Sequence, residues 1–324
     1  MSARASLQAR IEQYLAERRH LGFKLDQMAY ALSGFALYVT EVGHRGPLTV
    51  DLMAAWAQQT RRDHDTRATS ARRLHRLRPF TRWLRQFEPA TEVPEEALFG
   101  RVPGRLAPHI YREDEIVQLL DAAGRIGPAG SLRGAVFQTL FGLVACTGLR
   151  ISEALALRDA DVDLKSGVLT IRRSKFGKSR LVPLHPSAVQ ALARYRARRA
   201  RHVPATPDTP LFITTRGRLL GHAVSDRQAH RIFDRLRKQL GWVNRGCHDA
   251  PRIHDLRHSF AVRRLVLWHE QGEGIDQRML ALSTYLGHTK ISNTYWYLSA
   301  VPELIELIGK RFEHFVDPWE NDDE

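Results

Sequence analysis

The chain has 324 residues, 43% of them hydrophobic, with 49 Lys plus Arg against 35 Asp plus Glu and a formal charge of +14. That length supports one large or two ordinary domains, and the composition excludes a disordered chain, a collagen or a disulfide scaffold. Two cysteines (Cys146, Cys247), no apolar signal core in the first residues, and a longest apolar stretch (134–146) too short to span a bilayer point to a soluble, cytoplasmic protein.

The elements begin with helices. Ser6 can cap a helix that places Leu7, Ile11, Tyr14 and Leu15 on one face. Residues 25–43 read as a second helix ending near Gly43, and 49–60 as a third with Thr49 as its cap. From 66 to 87, Leu74, Leu77, Leu84 and Phe87 keep helical spacing, with Arg72, Arg73, Arg76, Arg82 and Arg85 between them. Pro79 predicts a kink or break there. Nine arginines between Arg61 and Arg85 face only Asp63 and Asp65. The expectation is a helical bundle over 1–90 with one arginine-rich face outward. Residues 91–108, rich in proline, read as a linker.

From 109 to 324 the pattern is mixed. Residues 112–124 form a helix with acids in its first turn, and 132–148 an apolar, buried one. Two β-rich runs, 167–174 and 179–185, flank Lys175 and Lys178 as a hairpin. Pro186 opens a helix to 200, and further helices are expected at 222–240, 254–270, 276–285 and 302–315. The fold class is therefore mainly α with a small β-hairpin or sheet (α+β). Basic residues fill 194–201, while 313–324 hold six acids and no Lys or Arg. Both halves are basic, which suggests a polyanion, although solvated helix faces give the same runs. Nucleic acid fits better than membrane, for lack of an amphipathic anchor or lipidation motif.

Four stretches carry chemistry. In 146–158, Arg150 opens a helix and Glu153, one turn on, can hold its guanidinium, although such a pair is also an ordinary surface feature. In 174–180, Lys175 and Lys178 sit at a hairpin tip, where solvated lysines are common. In 254–260, His254, Arg257 and His258 share a helical face. A metal is disfavoured, because Asp255 stands where the zinc-protease pattern has Glu and because Arg257 is adjacent. In 285–298, His288 precedes Tyr297 by nine residues, with Tyr295 and Trp296 beside it, a cluster that alone reads as core aromatics. Together they supply guanidiniums for non-bridging oxygens, proton-transfer groups and a hydroxyl nucleophile, the set a phosphodiester requires.

In residues and order, TGLRISEAL at Arg150, KFGKSRLVPL at Lys175, HDLRHSF at His254 and LGHTKISNTYWY from His288 resemble the tyrosine recombinase (phage integrase) family. The YWYL stretch is similar to transposon-associated members. The resemblance implies Tyr297 as nucleophile forming a 3′-phosphotyrosyl link, and Arg150 and Arg257 as a clamp on the scissile phosphate. It implies Lys175 as general acid, His254 as aid to proton transfer at Tyr297, His288 as a hydrogen-bond donor to a phosphate oxygen and Glu153 as support for Arg150. Tyr295 and Lys178 stand as alternatives to Tyr297 and Lys175. The resemblance further implies no cofactor and no metal, a core-binding domain in 1–90 and a catalytic domain in 109–324. Its expected partners are double-stranded DNA with inverted-repeat core sites, sister subunits in a homotetramer or a heterotetramer with a related recombinase, and an accessory DNA-bending or directionality factor. The helix at 301–312 is the expected docking element onto a neighbour, on bacterial DNA in the nucleoid. A type IB topoisomerase and a non-catalytic architectural DNA-binding protein are the competing readings.

Overall fold

The computed structural model describes residues 6–59, 67–100, 104–172, 179–272 and 274–300, with Ile275, Asp276, Ser299 and Ala300 as backbone only. The chain divides into two compact units, Met1–Arg105 and Leu106–Glu324.

The first unit is four helices: α1 (Leu7–His20), α2 (Asp26–Glu41), α3 (Val50–Gln58) and α4 (Arg67–Leu84). Ser6 Oγ accepts from the Ala9 N–H at the start of α1, and Thr49 Oγ1 from the Leu52 N–H at the start of α3. These side-chain acceptors satisfy amides that have no partner within the helix. Ile11, Leu32, Phe35, Met53, Leu74, Leu77 and Phe80 form the shared core. Contrary to the sequence expectation, α4 runs through Pro79 without a break. Leu77 and Phe80 on either side are fully buried, whereas Pro79 itself is exposed. The carbonyl that loses its partner therefore lies on the solvent side, and packing outweighs the lost bond. The helix stops before Phe87, which is 44% exposed rather than part of the core.

The second unit contains α5 (Glu113–Gly124), α6 (Leu132–Thr147), α7 (Ile151–Leu155), α8 (Pro186–Ala200), α9 (Asp226–Leu240), α10 (Ile253–Glu270), α11 (Ile275–Leu286) and α12 (Ser292–Ala300). A three-stranded antiparallel sheet of β1 (Val162–Asp163), β2 (Val168–Ile171) and β3 (Arg180–Pro183) lies between α7 and α8 in sequence, in the order β1-β2-β3. The hairpin of the sequence analysis thus gains an edge strand, too short at two residues to show alternation. Leu169, Ile171 and Val182 turn inward.

Helix α6 is apolar on every side and packs against α5, α8 and α10. Such a helix belongs in the centre of a domain. A second cluster joins α10, α11 and α12 through Ala261, Leu265, Met279, Leu282, Leu286 and Tyr297. Helix α12 was not anticipated. Its NTYWYL run mixes β-branched and aromatic residues of low helix propensity, and the pocket that Thr294 and Tyr297 fill decides its form. The helix expected at 222–240 begins only at Asp226, capped by Ser225. The helix expected at 302–315, the docking element at 301–312 and the acidic stretch 313–324 lie outside the described residues. Among the described residues no helix is long and apolar enough to cross a membrane.

Candidate active site

The site forms where the C-terminal ends of α6 and α11 meet the first turns of α7 and α10. Gly148 ends α6 at φ +63°, and Gly287 ends α11 at φ +67°. A Cβ on Gly148 would lie 2.5 Å from Phe260 Cδ1, and one on Gly287 would lie 2.8 Å from Arg180 Nη1. Both positions therefore require glycine for space as well as for backbone angle.

Three guanidiniums gather on the carbonyls these turns leave without helical partners. Arg257 donates to Gly148 O at 2.7 Å and to Leu286 O at 2.8 Å. Arg150 donates to Gly287 O at 3.1 Å, and Arg180 Nε to Tyr285 O at 2.8 Å. A helix C-terminus carries partial negative charge, so it can hold cations without neutralising them. Burial, with the charge of Arg150 added, lowers the Arg257 pKa to about 10, which leaves it protonated at neutral pH.

Glu153 is the carboxylate of the cluster. Its side chain accepts from the Arg150 backbone N–H and side chain, the capping arrangement the i, i+3 spacing predicts. It also accepts two bonds from Arg180, at 3.1 and 2.8 Å. Burial alone would raise its pKa, but the hydrogen bonds and charge of Arg180, then those of Arg150, hold it at about 2. One carboxylate against three guanidiniums leaves the site strongly cationic. Arg180 was missed in the sequence. The available signal was an arginine opening a β-run two residues after Lys178 in the same motif.

Helix α10 begins with its own cap, in which Asp255 binds the Arg252 backbone and side chain. The Tyr111 N–H donates to Ser259 Oγ at 2.7 Å, which fixes the helix further. Arg257 and His258 are buried on it, whereas His254 is exposed. The His254 and His258 rings meet edge to face, with centroids 4.7 Å apart. Surrounding protein, then the charges of Arg257 and Arg252, push the His254 pKa down to about 4. Its ring also meets water, which softens the effect, but the direction keeps it neutral at pH 7.

Tyr297 lies on α12, 1% exposed, with Oη 2.9 Å from Nδ1 of His258. His258 belongs to the helical face read from the sequence but was given no role there. His288 sits just past Gly287, its Nδ1 2.7 Å from Thr294 Oγ1. Tyr295, the alternative nucleophile, is 39% exposed on the same helix. Lys175 and Lys178 lie outside the described residues.

Residues 110–303, covering all these motifs, match the phage integrase family. The chain belongs to that family. A protein of Sinorhizobium fredii named integrase/recombinase y4rB is 38% identical over 316 residues, 96% of this chain and 97% of its own length. Tyrosine recombinase XerC of Thermodesulfovibrio yellowstonii is 30% identical over 250 residues, 76% of each chain. Among solved structures, the recombinase XerH in a post-cleavage complex with palindromic difH substrate aligns over 96% of this chain and 86% of its own, with a TM-score of 0.65 at 19% identity. The Tn1549 transposon integrase, in complex with transposon right-end DNA, aligns over 95% and 100% with a TM-score of 0.67 at 15% identity. The last two likenesses show a shared fold. As a family member, the chain is an enzyme of the tyrosine site-specific recombinase type.

The arginines predicted to bind DNA differ in placement. Arg72, Arg82 and Arg85 are exposed. Arg73 is half-buried and donates to the carbonyls of Ala57 and Gln59 at the C-terminal end of α3, and Arg76 donates to Gln27.

Proposed function

We propose that this protein cuts and rejoins double-stranded DNA at specific sites through a 3′-phosphotyrosyl intermediate and a Holliday junction, as a tetramer on paired inverted-repeat sites. Integration, transposition and cointegrate resolution are all compatible with that chemistry. The observation that carries the reading is the assembly of Arg150, Arg257 and Arg180 around Glu153, with Tyr297 held one helix away against α10.

In the proposed reaction the scissile phosphate sits against Arg150 and Arg257. A guanidinium has five N–H donors, and two of Arg257's are bound to carbonyls, so the remainder can meet non-bridging oxygens. The Tyr297 Oη–P bond forms while the P–O5′ bond breaks, and Lys175 protonates the departing 5′-oxygen. His254 assists proton transfer at Tyr297, and His288 donates an N–H group to the phosphate. One phosphodiester replaces another, so bond energy is conserved and no nucleotide triphosphate is needed. Tyr297 is covered in this structure, so α12 must shift to present the hydroxyl. The exposed Arg72, Arg82 and Arg85 of the first unit are proposed to bind the phosphate backbone, with the first unit as core-binding and the second as catalytic domain. The expected site of action is DNA in the bacterial nucleoid.

A nicked suicide substrate tests the assignment. The wild-type chain and Tyr295→Phe should trap covalent protein–DNA complexes, whereas Tyr297→Phe should not. Trapping by Tyr297→Phe would reject Tyr297 as nucleophile.

A further inference from the structure

A phosphate-binding guanidinium speeds cleavage only if it waits where negative charge will gather, because a donor fixed beforehand need not reorganise in the transition state. Arg257 holds its place through bonds to Gly148 O at 2.7 Å and Leu286 O at 2.8 Å, which belong to two other elements. Hydrogen bonds weaken steeply with misalignment, so α10 itself must be held against sliding and tilting.

Tyr111, just before α5, reaches both ends of the stretch of α10 that bears Arg257. Its Oη donates to Arg252 O at 3.1 Å, at the cap of the helix. Its N–H donates to Ser259 Oγ at 2.7 Å, and that hydroxyl donates onward to Asp255 O at 2.9 Å. Residues 252 and 259 lie roughly 10 Å apart along a helix. One buried residue thus brackets two turns, with His254 and Arg257 between its contacts. The Tyr111 ring is itself fixed between His109 and Trp242, which it meets edge to face at 4.6 and 5.3 Å between centroids. The loop that enters α10 is pinned to the same segment. Arg245 donates to Ile110 O at 2.8 Å and to Glu115 Oε1 at 2.9 Å, and the Cys247 N–H to Ala107 O at 2.9 Å. A Cβ on Gly246 would lie 2.6 Å from the His109 nitrogen, so the two segments meet backbone to backbone.

We infer that Tyr111 is a positioning residue for cleavage, setting the first two turns of α10 and through them Arg257. This rests on Arg257 holding the scissile phosphate, as proposed above. Tyr111 acts only through the helix, since its hydroxyl is spent on a carbonyl of the α10 cap. A staple for stability alone would make the same bonds, but the two roles part on one chemical property. A positioning defect matters in proportion to the phosphate charge that Arg257 must neutralise, whereas a folding defect does not.

The test is single-turnover cleavage of the nicked substrate by the full chain at saturating DNA. One substrate carries an ordinary scissile phosphodiester, the other a methyl group in place of a non-bridging oxygen. The methylphosphonate is neutral, so a misplaced guanidinium costs it little. Tyr111→Phe should cleave the phosphodiester about 10-fold or more slowly, as small misplacements do, with DNA affinity and denaturation midpoint close to wild type. On the methylphosphonate it should match wild type. Ser259→Ala, which leaves the Tyr111 N–H without its acceptor, should repeat the pattern, and Ser259→Thr should restore the phosphodiester rate. Tyr195→Phe is the control for loss of a buried phenol, since Tyr195 on α8 donates to Leu211 O at 2.8 Å and its change should slow neither substrate. Equal slowing of both substrates by Tyr111→Phe, or slowing of neither, would overturn the inference. Should the wild type leave the methylphosphonate uncut, rate loss at an unchanged midpoint in both Tyr111→Phe and Ser259→Ala decides the same question. If Arg257→Lys is slowed as much on the methylphosphonate as on the phosphodiester, the phosphate-binding role of Arg257 fails instead.

Discussion

Arg150 and Arg180 share the carboxylate of Glu153, with Arg150 Nη1 2.7 Å from Oε1 and Arg180 Nη2 2.8 Å from Oε2. One residue caps a helix and the other starts a strand 30 positions later in the chain, so Glu153 ties the sheet to the helix that Arg150 opens.

Removing the buried Glu153 leaves two half-buried guanidiniums without their counter-charge. Glu153→Ala should destabilise the second unit by roughly 3–5 kcal/mol, the usual consequence of breaking a buried pair. Because the folded pKa, about 2, lies below the ordinary glutamate value, its stabilisation is complete above the unfolded pKa and is lost as pH falls toward 2. Chemical denaturation of wild type should show that acid loss, and the variant should show less of it.

Arg180 shares Glu153 with Arg150 and so should position it. Arg180→Lys keeps the charge but cannot reproduce the two-point contact with Glu153. Cleavage should fall by about 10- to 100-fold, as small misplacements of catalytic groups do, while DNA affinity changes little. A loss confined to affinity would count against this role.

Two glycines with the same backbone angle should respond differently to alanine. Gly43, at φ +62°, has nothing within 4 Å of a built Cβ, whereas at Gly148 that atom would meet Phe260 at 2.5 Å. Gly43→Ala should cost about 1–2 kcal/mol of backbone strain. Gly148→Ala should add about 1–3 kcal/mol of overpacking and reduce cleavage, because Gly148 O also holds Arg257. Denaturation midpoints of the two variants make the comparison.

His254 should titrate below the ordinary histidine value in NMR spectra. Its folded pKa is depressed, so stability it contributes declines as pH falls from the unfolded value through the folded one. A bound phosphodiester should raise that pKa by attracting the charged form. An unshifted His254 resonance in the presence of DNA would place the phosphate elsewhere.

DNA affinity should fall by about a thousandfold or more between 50 and 200 mM salt if many arginine–phosphate contacts release counterions. Arg72→Ala, Arg82→Ala and Arg85→Ala should each reduce the salt slope, since their side chains are exposed. Arg73→Ala should instead destabilise the first unit, because that guanidinium caps α3 carbonyls.

Local patterns in the sequence were sufficient for most helices and for the Arg150–Glu153 pair, because caps, periodicity and i, i+3 spacing are short-range. They also placed Arg257 and His258 on one helical face, and the order of the four motifs was enough to indicate the family. Local rules failed where packing overrules propensity: Pro79 inside α4, whose neighbours Leu77 and Phe80 are buried, and the aromatic helix α12, seated by Thr294 and Tyr297. Tertiary structure alone decided the long-range contacts, in which Arg180 reaches back to Glu153, the carbonyls of Gly148 and Leu286 receive Arg257, and His258 rather than His254 meets the Tyr297 hydroxyl. Those partners lie 27 to 109 residues apart, and no spacing rule in a linear chain encodes which buried donors and acceptors must satisfy one another once water is excluded.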